Sequence, residues 1–510
     1  MAAPLPDLAP GGRPATREPG AVEPPGPAAV VESVVVLAAV VVLVGPVAHN
    51  EGGRGPGAAA LLAALTVGAL LCTRAWRRLS ARWWLLAPAV ALAAFYVLPA
   101  TGGGRAAAVA QTSYAIAAGL ALAVAAYART PARRAAVAGV LVAGGVAQFA
   151  WALVPWWGGQ IPSRPMVGTY YWHNQLAVAL LLPALLGAAL AVAGRRPWRA
   201  AGWVAAPLCA AGVVLSTSRA TTACLVAGWL AVLAVSTVTS GNRRSALVRA
   251  VVVTVAAAAV TVALPGPPLF DTRVSPLSGA SARAASGETV DANTTYRTQF
   301  WREAGSVTAR YPLTGAGYGR LAQASTPITP STWAHSPLAH SAVLQAFADG
   351  GLPLGGTVLA AVVVLGVALV RRLWTGVRAA SRPASGGPAF ADPAARADAA
   401  VSAAAAVAAL ALLAHCMVDI DWTYPALAAQ FAVVVGLALA TGPVQVRARP
   451  VPGQGDGHLL PAARSGRHTE LVASVAVAVV AVVLVAGGGA AWGQSFHVFA
   501  PQTVIGKVHQ

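Results

Sequence analysis

The sequence predicts an all-α polytopic membrane protein with about 12 to 13 transmembrane helices, and three observations carry that prediction. The 510 residues are 57% hydrophobic and only 10% charged, with mean hydropathy +0.65, too apolar and too poor in charge for a soluble globular enzyme. About 13 stretches approach the roughly 20 apolar residues that a bilayer-spanning helix needs. The connections between them alternate between arginine-rich and arginine-poor, as they must when short loops keep positive charge on the cytoplasmic side. On a soluble chain the net charge of +19 would suggest a nucleic-acid partner. Here topology accounts for it, and no nucleic-acid partner is expected.

The predicted spans are 28–48, 57–73, 83–99, 106–127, 135–156, 174–194, 200–216, 221–240, 250–264, 352–370, 398–417, 425–441 and 471–491. Arg74, Arg77, Arg78 and Arg82 form one basic cluster, Arg129, Arg133 and Arg134 the next, then Arg195, Arg196 and Arg199, then Arg243, Arg244 and Arg249. Arg371, Arg372, Arg378, Arg382 and Arg396 continue the series, followed by Arg447, Arg449, Arg464 and Arg467. These loops are assigned to the cytoplasm. The short loops between them hold Arg54, Arg105, Arg164 or Arg219 and are assigned to the outside.

This divides the chain into a disordered, Pro- and Ala-rich cytoplasmic tail over 1–27, nine spans over 28–264, an extracytoplasmic segment over 265–351, three spans over 352–441, a cytoplasmic linker over 442–470, and a last span with an external tail over 471–510. Glu32 lies inside the first span, which reads as a retained signal-anchor, with cleavage near Ala48 as the competing reading. The four cysteines, Cys72, Cys209, Cys224 and Cys416, all sit in apolar stretches, where a thiol behaves as a small hydrophobe. Lys507 is the only lysine. With abundant Ala, Val, Gly and Pro, that composition points to a GC-rich bacterium and hence to a bacterial plasma membrane with the N-terminus in the cytoplasm.

One connection breaks the pattern. The segment between Pro265 and Gly351 is far longer than a usual helix connection, which marks it as functional. It carries Arg273, Arg283, Arg297, Arg302, Arg310 and Arg320 on the side where topology calls for no positive charge. Thr294 to Ala309 reads as an amphipathic helix with Arg297 and Trp301 four apart on one face, stopped by Pro312. Gly315, Gly317 and Gly319 follow in a tight turn that allows positive dihedrals or close backbone approach to a partner. His335 and His340 come next, and Ser341 through Gly351 lead directly into the tenth predicted span.

Four local patterns in this order resemble the O-antigen ligase and polymerase superfamily. Gly168-Thr-Tyr-Tyr-Trp-His-Asn174-Gln-Leu-Ala177 is similar to the family's Gly-x-x-x-x-x-Asn-x-x-Ala opening of a span, and Ser216-Thr-Ser218-Arg219-Ala-Thr-Thr resembles its Ser-Arg turn between two spans. Arg297-Thr-Gln-Phe-Trp301 with Pro312-Leu-Thr-Gly315-Ala-Gly317 resembles the Arg-x-x-x-Trp and Pro-Leu-x-Gly-x-Gly signature. His340-Ser341-x-x-Leu344-Gln345 with Asp349-x-Gly351 resembles the His-Asn-x-x-Leu-Gln and Glu-x-Gly signature. Ser341 departs from the family's Asn, so an amide contact is lost, although a hydroxyl can still cap a helix start. The patterns span about residues 165 to 440.

The resemblance implies a C-type glycosyltransferase-like fold with one large external loop domain. It implies a donor glycan on an undecaprenyl-type pyrophosphate carrier and an acceptor hydroxyl on a glycan, lipid or protein, with membrane lipid around the protein. It also implies inversion at the anomeric centre without metal or cofactor. Arg219 and Arg297 fall where the family grips pyrophosphate, and guanidinium forks suit phosphate oxygens. The competing readings are an interfacial arginine at 219 and an ion pair of Arg297 with Glu303 or Asp291. His340 matches the family's essential histidine, as general base toward the acceptor hydroxyl; the alternative is a histidine that only packs the loop. Ser218, Asn174, Trp301, Gly315, Gly317, His335, Gln345, Asp349 and Asp419 are expected to support the site. For Asn174, with His173, lining the acceptor path competes with helix capping. Asp419 and Asp421, with His415 one turn earlier, either pair with arginines or orient His340, or else form a metal site that lacks a fourth ligand. The Trp83-Trp84 and Trp156-Trp157 pairs read as interfacial belt residues.

The alternatives are a polysaccharide polymerase with the same donor, a peptidoglycan polymerase of the shape-and-division type, a transporter, and a non-catalytic scaffold. A transporter would carry intramembrane charge pairs or broken helices. A scaffold would leave Arg219, Arg297 and His340 scattered.

Overall fold

The computed structural model describes residues 26–48, 56–75, 104–155, 166, 168–170, 173–240, 242–264, 292–328, 336, 338–381, 393–419 and 421–440. The predicted spans 83–99 and 471–491, nearly all of the N-terminal tail, and the 442–470 linker lie outside the described residues, as do Trp83, Trp84, Trp156, Trp157 and His335. Among the described residues the protein is all-helical, the outcome that a bilayer enforces by leaving no water to satisfy backbone groups.

The helices are α1 (Pro27–Val42), continued by a π turn at Leu43–Val47, α2 (Pro56–Thr73), α3 (Gly104–Tyr127), α4 (Pro131–Pro155), α5 (His173–Ala193), α6 (Arg196–Leu215), α7 (Arg219–Thr239) and α8 (Arg243–Ala263). There follow α9 (Ala292–Arg310), the short α10 (Leu321–Ser325), α11 (Ala342–Ser381), α12 (Pro393–Cys416), a 3-10 turn at Asp421–Thr423, and α13 (Pro425–Leu439). Eight are long and apolar enough to cross a membrane, and the apolar stretches Ala60–Thr73, Ser113–Tyr127 and Pro425–Leu439 are shorter.

Helix α5 is the axis of the bundle. Its apolar window is 94% buried, and α4, α6, α7, α8, α12 and α13 all pack against it. Helices α5 and α6 meet almost backbone to backbone: a Cβ on Gly202 would lie 2.4 Å from the Ala191 nitrogen. Small residues at such a crossing let van der Waals packing drive helix association where lipid removes any hydrophobic incentive. Helices α8 and α11, by contrast, expose Val251, Val252, Val255, Val363, Val364 and Val367, as lipid-facing surfaces do.

Charges lock one end of this bundle. The buried Arg134 at the start of α4 pairs with Asp398 at the start of α12 and donates to the Ala128 carbonyl at 2.7 Å. Arg133 reaches Glu32 of α1 at 3.2 Å, so the one charge inside the first span is paired. The chain also runs through this end at Arg195–Arg196 and Arg243, where α6 and α8 begin. The other end gathers the N-termini of α5 and α7 and the C-termini of α6 and α12. His415 is 17 residues beyond Asp398 on α12, about 26 Å along a helix.

Two helices depart from their expected bounds. Helix α8 starts at Arg243, where the Asn242 side chain accepts from the Ser245 N–H at 2.9 Å, rather than at 250. Helix α11 runs from Ala342 through Ser381, well beyond the apolar 352–370. A hydropathy boundary stops at Arg371, but the backbone does not. Arg378 lays its guanidinium over Trp374 at 4.5 Å, keeping aliphatic stems on the helix while the charge reaches water.

Candidate active site

Asp419, in the turn after α12, is 2% exposed, and three side chains from distant segments converge on it. Asn174, in the first turn of α5, donates from Nδ2 to Oδ2 at 3.0 Å. Arg297 of α9 reaches the same oxygen at 3.4 Å and also donates to the Val418 carbonyl. Nδ1 of His340 lies 3.5 Å from Oδ1, with no hydrogen-bond partner of its own. Burial works to raise the Asp419 carboxyl, but pairing with His340 and the charges of His415 and Arg297 outweigh it and hold the group well below the usual carboxylate range. Two residues on, Asp421 is pushed up, chiefly by burial, against the opposing charge and hydrogen bond of His415. Neighbouring carboxylates are thus driven apart in acidity, a pattern typical of functional sites.

His340 is held from three sides. Its backbone is left-handed, φ 49°, an uncommon state for a non-glycine residue that persists where surroundings over-determine it. Trp301 donates from Nε1 to its carbonyl at 3.3 Å, and Phe300 stacks on its ring at 5.5 Å. Ser341 then caps α11, its hydroxyl accepting from the Leu344 N–H at 3.4 Å. The hydroxyl in the family's Asn position therefore still fills the capping role. Side-chain exposures of 31% for His340 and 22% for Arg297, against 3% for Asp419, leave the imidazole and the guanidinium accessible above a buried carboxylate.

The glycine turn docks on its own chain. Helix α11 kinks at Gly350 and Gly351. There Ala316 N–H bonds to the Ala348 carbonyl at 2.8 Å, Gly317 N–H to the Asp349 carbonyl at 2.9 Å, and Leu352 N–H to the Pro312 carbonyl at 2.7 Å. Gly315 has φ 63°, and a Cβ there would lie 2.3 Å from the Asp349 carbonyl carbon, so no other residue fits without displacing the kink. Gln345 accepts from the Ala339 N–H at 2.7 Å and donates to Asp349 at 2.8 Å. Gly315, Gly317, Gln345 and Asp349 thus brace the loop that carries His340, and Asp349 is not among the side chains gathered on Asp419.

Ser218 and Arg219 open α7. Ser218 bonds Thr221 hydroxyl to hydroxyl at 2.8 Å, Thr221 reaches Nε2 of His415 at 2.9 Å, and Nδ1 of His415 reaches Asp421 at 2.5 Å. Arg219 itself is exposed. This chain of bonds links its neighbour Ser218 to His415, four residues before Asp419 in sequence. Arg297 pairs with Asp419 and not with Glu303, which accepts from Gln299 at 2.9 Å; Asp291 lies outside the described residues. Both ring nitrogens of His415 are taken, by Thr221 and by Asp421, and among the described residues no group of three or more His, Cys, Asp or Glu is placed to hold a metal ion. Sequence reasoning assigned nothing to Thr221 or Phe300. Thr221's local signal is its place inside the Ser216–Thr222 string, three residues after Ser218 in the first turn of a helix.

No curated protein matches the chain. Residues 204–359 match the family model described as O-Antigen ligase (Wzy_C), a narrower stretch than the patterns at 165–440. It includes Ser218, Arg219, Arg297, Trp301, His340 and the braced glycine turn, and leaves out Asn174, His415, Asp419 and Asp421. Residues 204–359, which hold the turn at Arg219 and the loop that carries His340, are therefore similar to the O-antigen ligase family.

Proposed function

We propose that the protein moves a glycan from an undecaprenyl-type pyrophosphate carrier to an acceptor hydroxyl, at the end of the bundle opposite the Arg133 and Arg134 ion pairs and on the extracytoplasmic face. The family supports a glycosyltransferase-like enzyme of ligase or polymerase type. The convergence of Arg297, His340 and Asn174 on Asp419 carries the finer reading.

With Nδ1 of His340 turned to Asp419, Nε2 is left to accept the acceptor hydroxyl's proton as that oxygen attacks the anomeric carbon. The carboxylate, 3.5 Å from Nδ1, steadies the imidazolium that forms. The bond between the anomeric carbon and the carrier phosphate breaks as the new glycosidic bond forms, inverting the centre. The departing pyrophosphate is met by Arg219 and by the donors of Arg297 that Asp419 and Val418 do not occupy; a guanidinium has five. The exposed valines of α8 and α11 hold the bundle in lipid, which keeps the polyprenyl tail and the site at one depth. A growing polysaccharide as acceptor would make the same chemistry a polymerase reaction, a reading the family match favours equally.

The test is incubation of purified protein with polyprenyl-pyrophosphate-linked glycan and separate glycan, lipid and protein acceptors, with and without chelator. Transfer to one acceptor class, insensitive to chelator and yielding polyprenyl pyrophosphate, is expected. No transfer to any class from any donor refutes the reading.

A further inference from the structure

We propose that His415, clamped by Asp421 and bonded through Thr221 to Ser218, is a positioning residue that sets the Ser216–Arg219 turn for the donor's pyrophosphate. This rests on the donor reading above and deepens it. Ser218 is the N-cap of α7, yet its side chain makes no capping bond. A serine there ordinarily accepts from a backbone N–H in the first turn. Here the hydroxyl is diverted to Thr221, so the first turn of α7 is left uncapped by its own serine, and Arg219 is its first residue.

The diversion is bought by a sealed chain. Thr221, His415 and Asp421 are each 0% exposed, and both ring nitrogens of His415 are committed, to Thr221 at 2.9 Å and to Asp421 at 2.5 Å. The hydroxyl–imidazole–carboxylate order is that of a nucleophilic triad, but complete burial keeps substrate away and leaves positioning as its use. What it positions needs holding. Thr217 has φ 61°, a conformation that L residues keep only where neighbours enforce it. The Ser216 hydroxyl bonds to the Val213 carbonyl at 2.6 Å and accepts from the Ser218 N–H at 3.3 Å, which stiffens one side of the turn. The His415 chain stiffens the other.

The experiment compares Thr221→Val, which keeps shape and removes the hydroxyl, with Thr221→Ser, which keeps the hydroxyl. Both are purified in nanodiscs and titrated with undecaprenyl pyrophosphate, with uncharged undecaprenol as the control; transfer kinetics are recorded in parallel. Thr221→Val is expected to weaken pyrophosphate-dependent binding and raise the donor KM about tenfold or more, the scale of one charge-assisted contact misplaced. Acceptor KM and undecaprenol binding stay unchanged, and Thr221→Ser stays near wild type. Binding by Thr221→Val equal to wild type overturns the proposal, as does equal weakening in Thr221→Ser. Should Thr221→Val fail to fold, Ser218→Ala cuts the chain at its other end, and normal pyrophosphate binding in that variant overturns the proposal. Wild type that binds and discriminates as stated but never transfers glycan defeats the proposed function and leaves the positioning role standing. Wild type that fails to bind undecaprenyl pyrophosphate defeats both.

Discussion

Replacing Asp419 by Asn keeps the side chain's size and removes the charge on which three segments meet. The Asn174 contact at 3.0 Å survives as an amide pair. The Arg297 contact is long, at 3.4 Å, and its guanidinium is partly exposed, so its direct loss is worth under about 1 kcal/mol. The larger effect is on His340. An amide group there carries no charge, so the imidazolium that forms on proton transfer loses the carboxylate 3.5 Å from its Nδ1. Together these should cost about 2–4 kcal/mol of transition-state stabilisation, or about 30- to 1000-fold in kcat/KM. The assay is glycan transfer from a polyprenyl-pyrophosphate donor, with folded protein confirmed by thermal melting in detergent. Because Arg297 shares the contact, Asp419→Asn and Arg297→Gln should couple, the double variant falling well short of the summed losses. Turnover of Asp419→Asn within about threefold of wild type, or strictly additive losses, would refute Asp419 as the hub.

Further outcomes follow from the same geometry. His340→Ala should lose about 10² to 10⁴ in kcat while undecaprenyl pyrophosphate binding, read by titration, stays near wild type; equal losses in binding would move His340 from proton transfer to donor recognition. Gly315→Ala should fold poorly, because the added Cβ meets the Asp349 carbonyl carbon at 2.3 Å at a residue with φ 63°, and a lower melting temperature with reduced transfer checks it. Asp419, held below its ordinary range, contributes stability that is fully present above about pH 4 and lost as pH falls further. Wild-type melting should therefore drop in that acid window, and the drop should be smaller in Asp419→Asn.

Much of the molecule was legible in the residue order because a bilayer imposes local rules. Each span must hide its own backbone polar groups, so runs such as His173–Ala193 and Arg219–Thr239 announce themselves, and Arg133, Arg195 and Arg243 mark one end of the bundle before any helix is packed. The His340 and Arg297 patterns were legible too, since each is a short string with its own spacing. Less legible was where local and tertiary rules diverge. Helix α11 runs past Arg371 because long basic side chains snorkel, and the Pro312–Gly317 string packs against the kink at Gly350, a contact its own spacing does not announce. What the fold alone decided is which side chains share a site. Asn174 and Asp419 are 245 residues apart, Arg297 and Asp419 122, Thr221 and His415 194, and no periodicity or spacing reports a contact of that range. Only α5, packed centrally between α6, α7 and α12, brings those ends to one depth, which makes a lone aspartate after a helix the meeting point of the site.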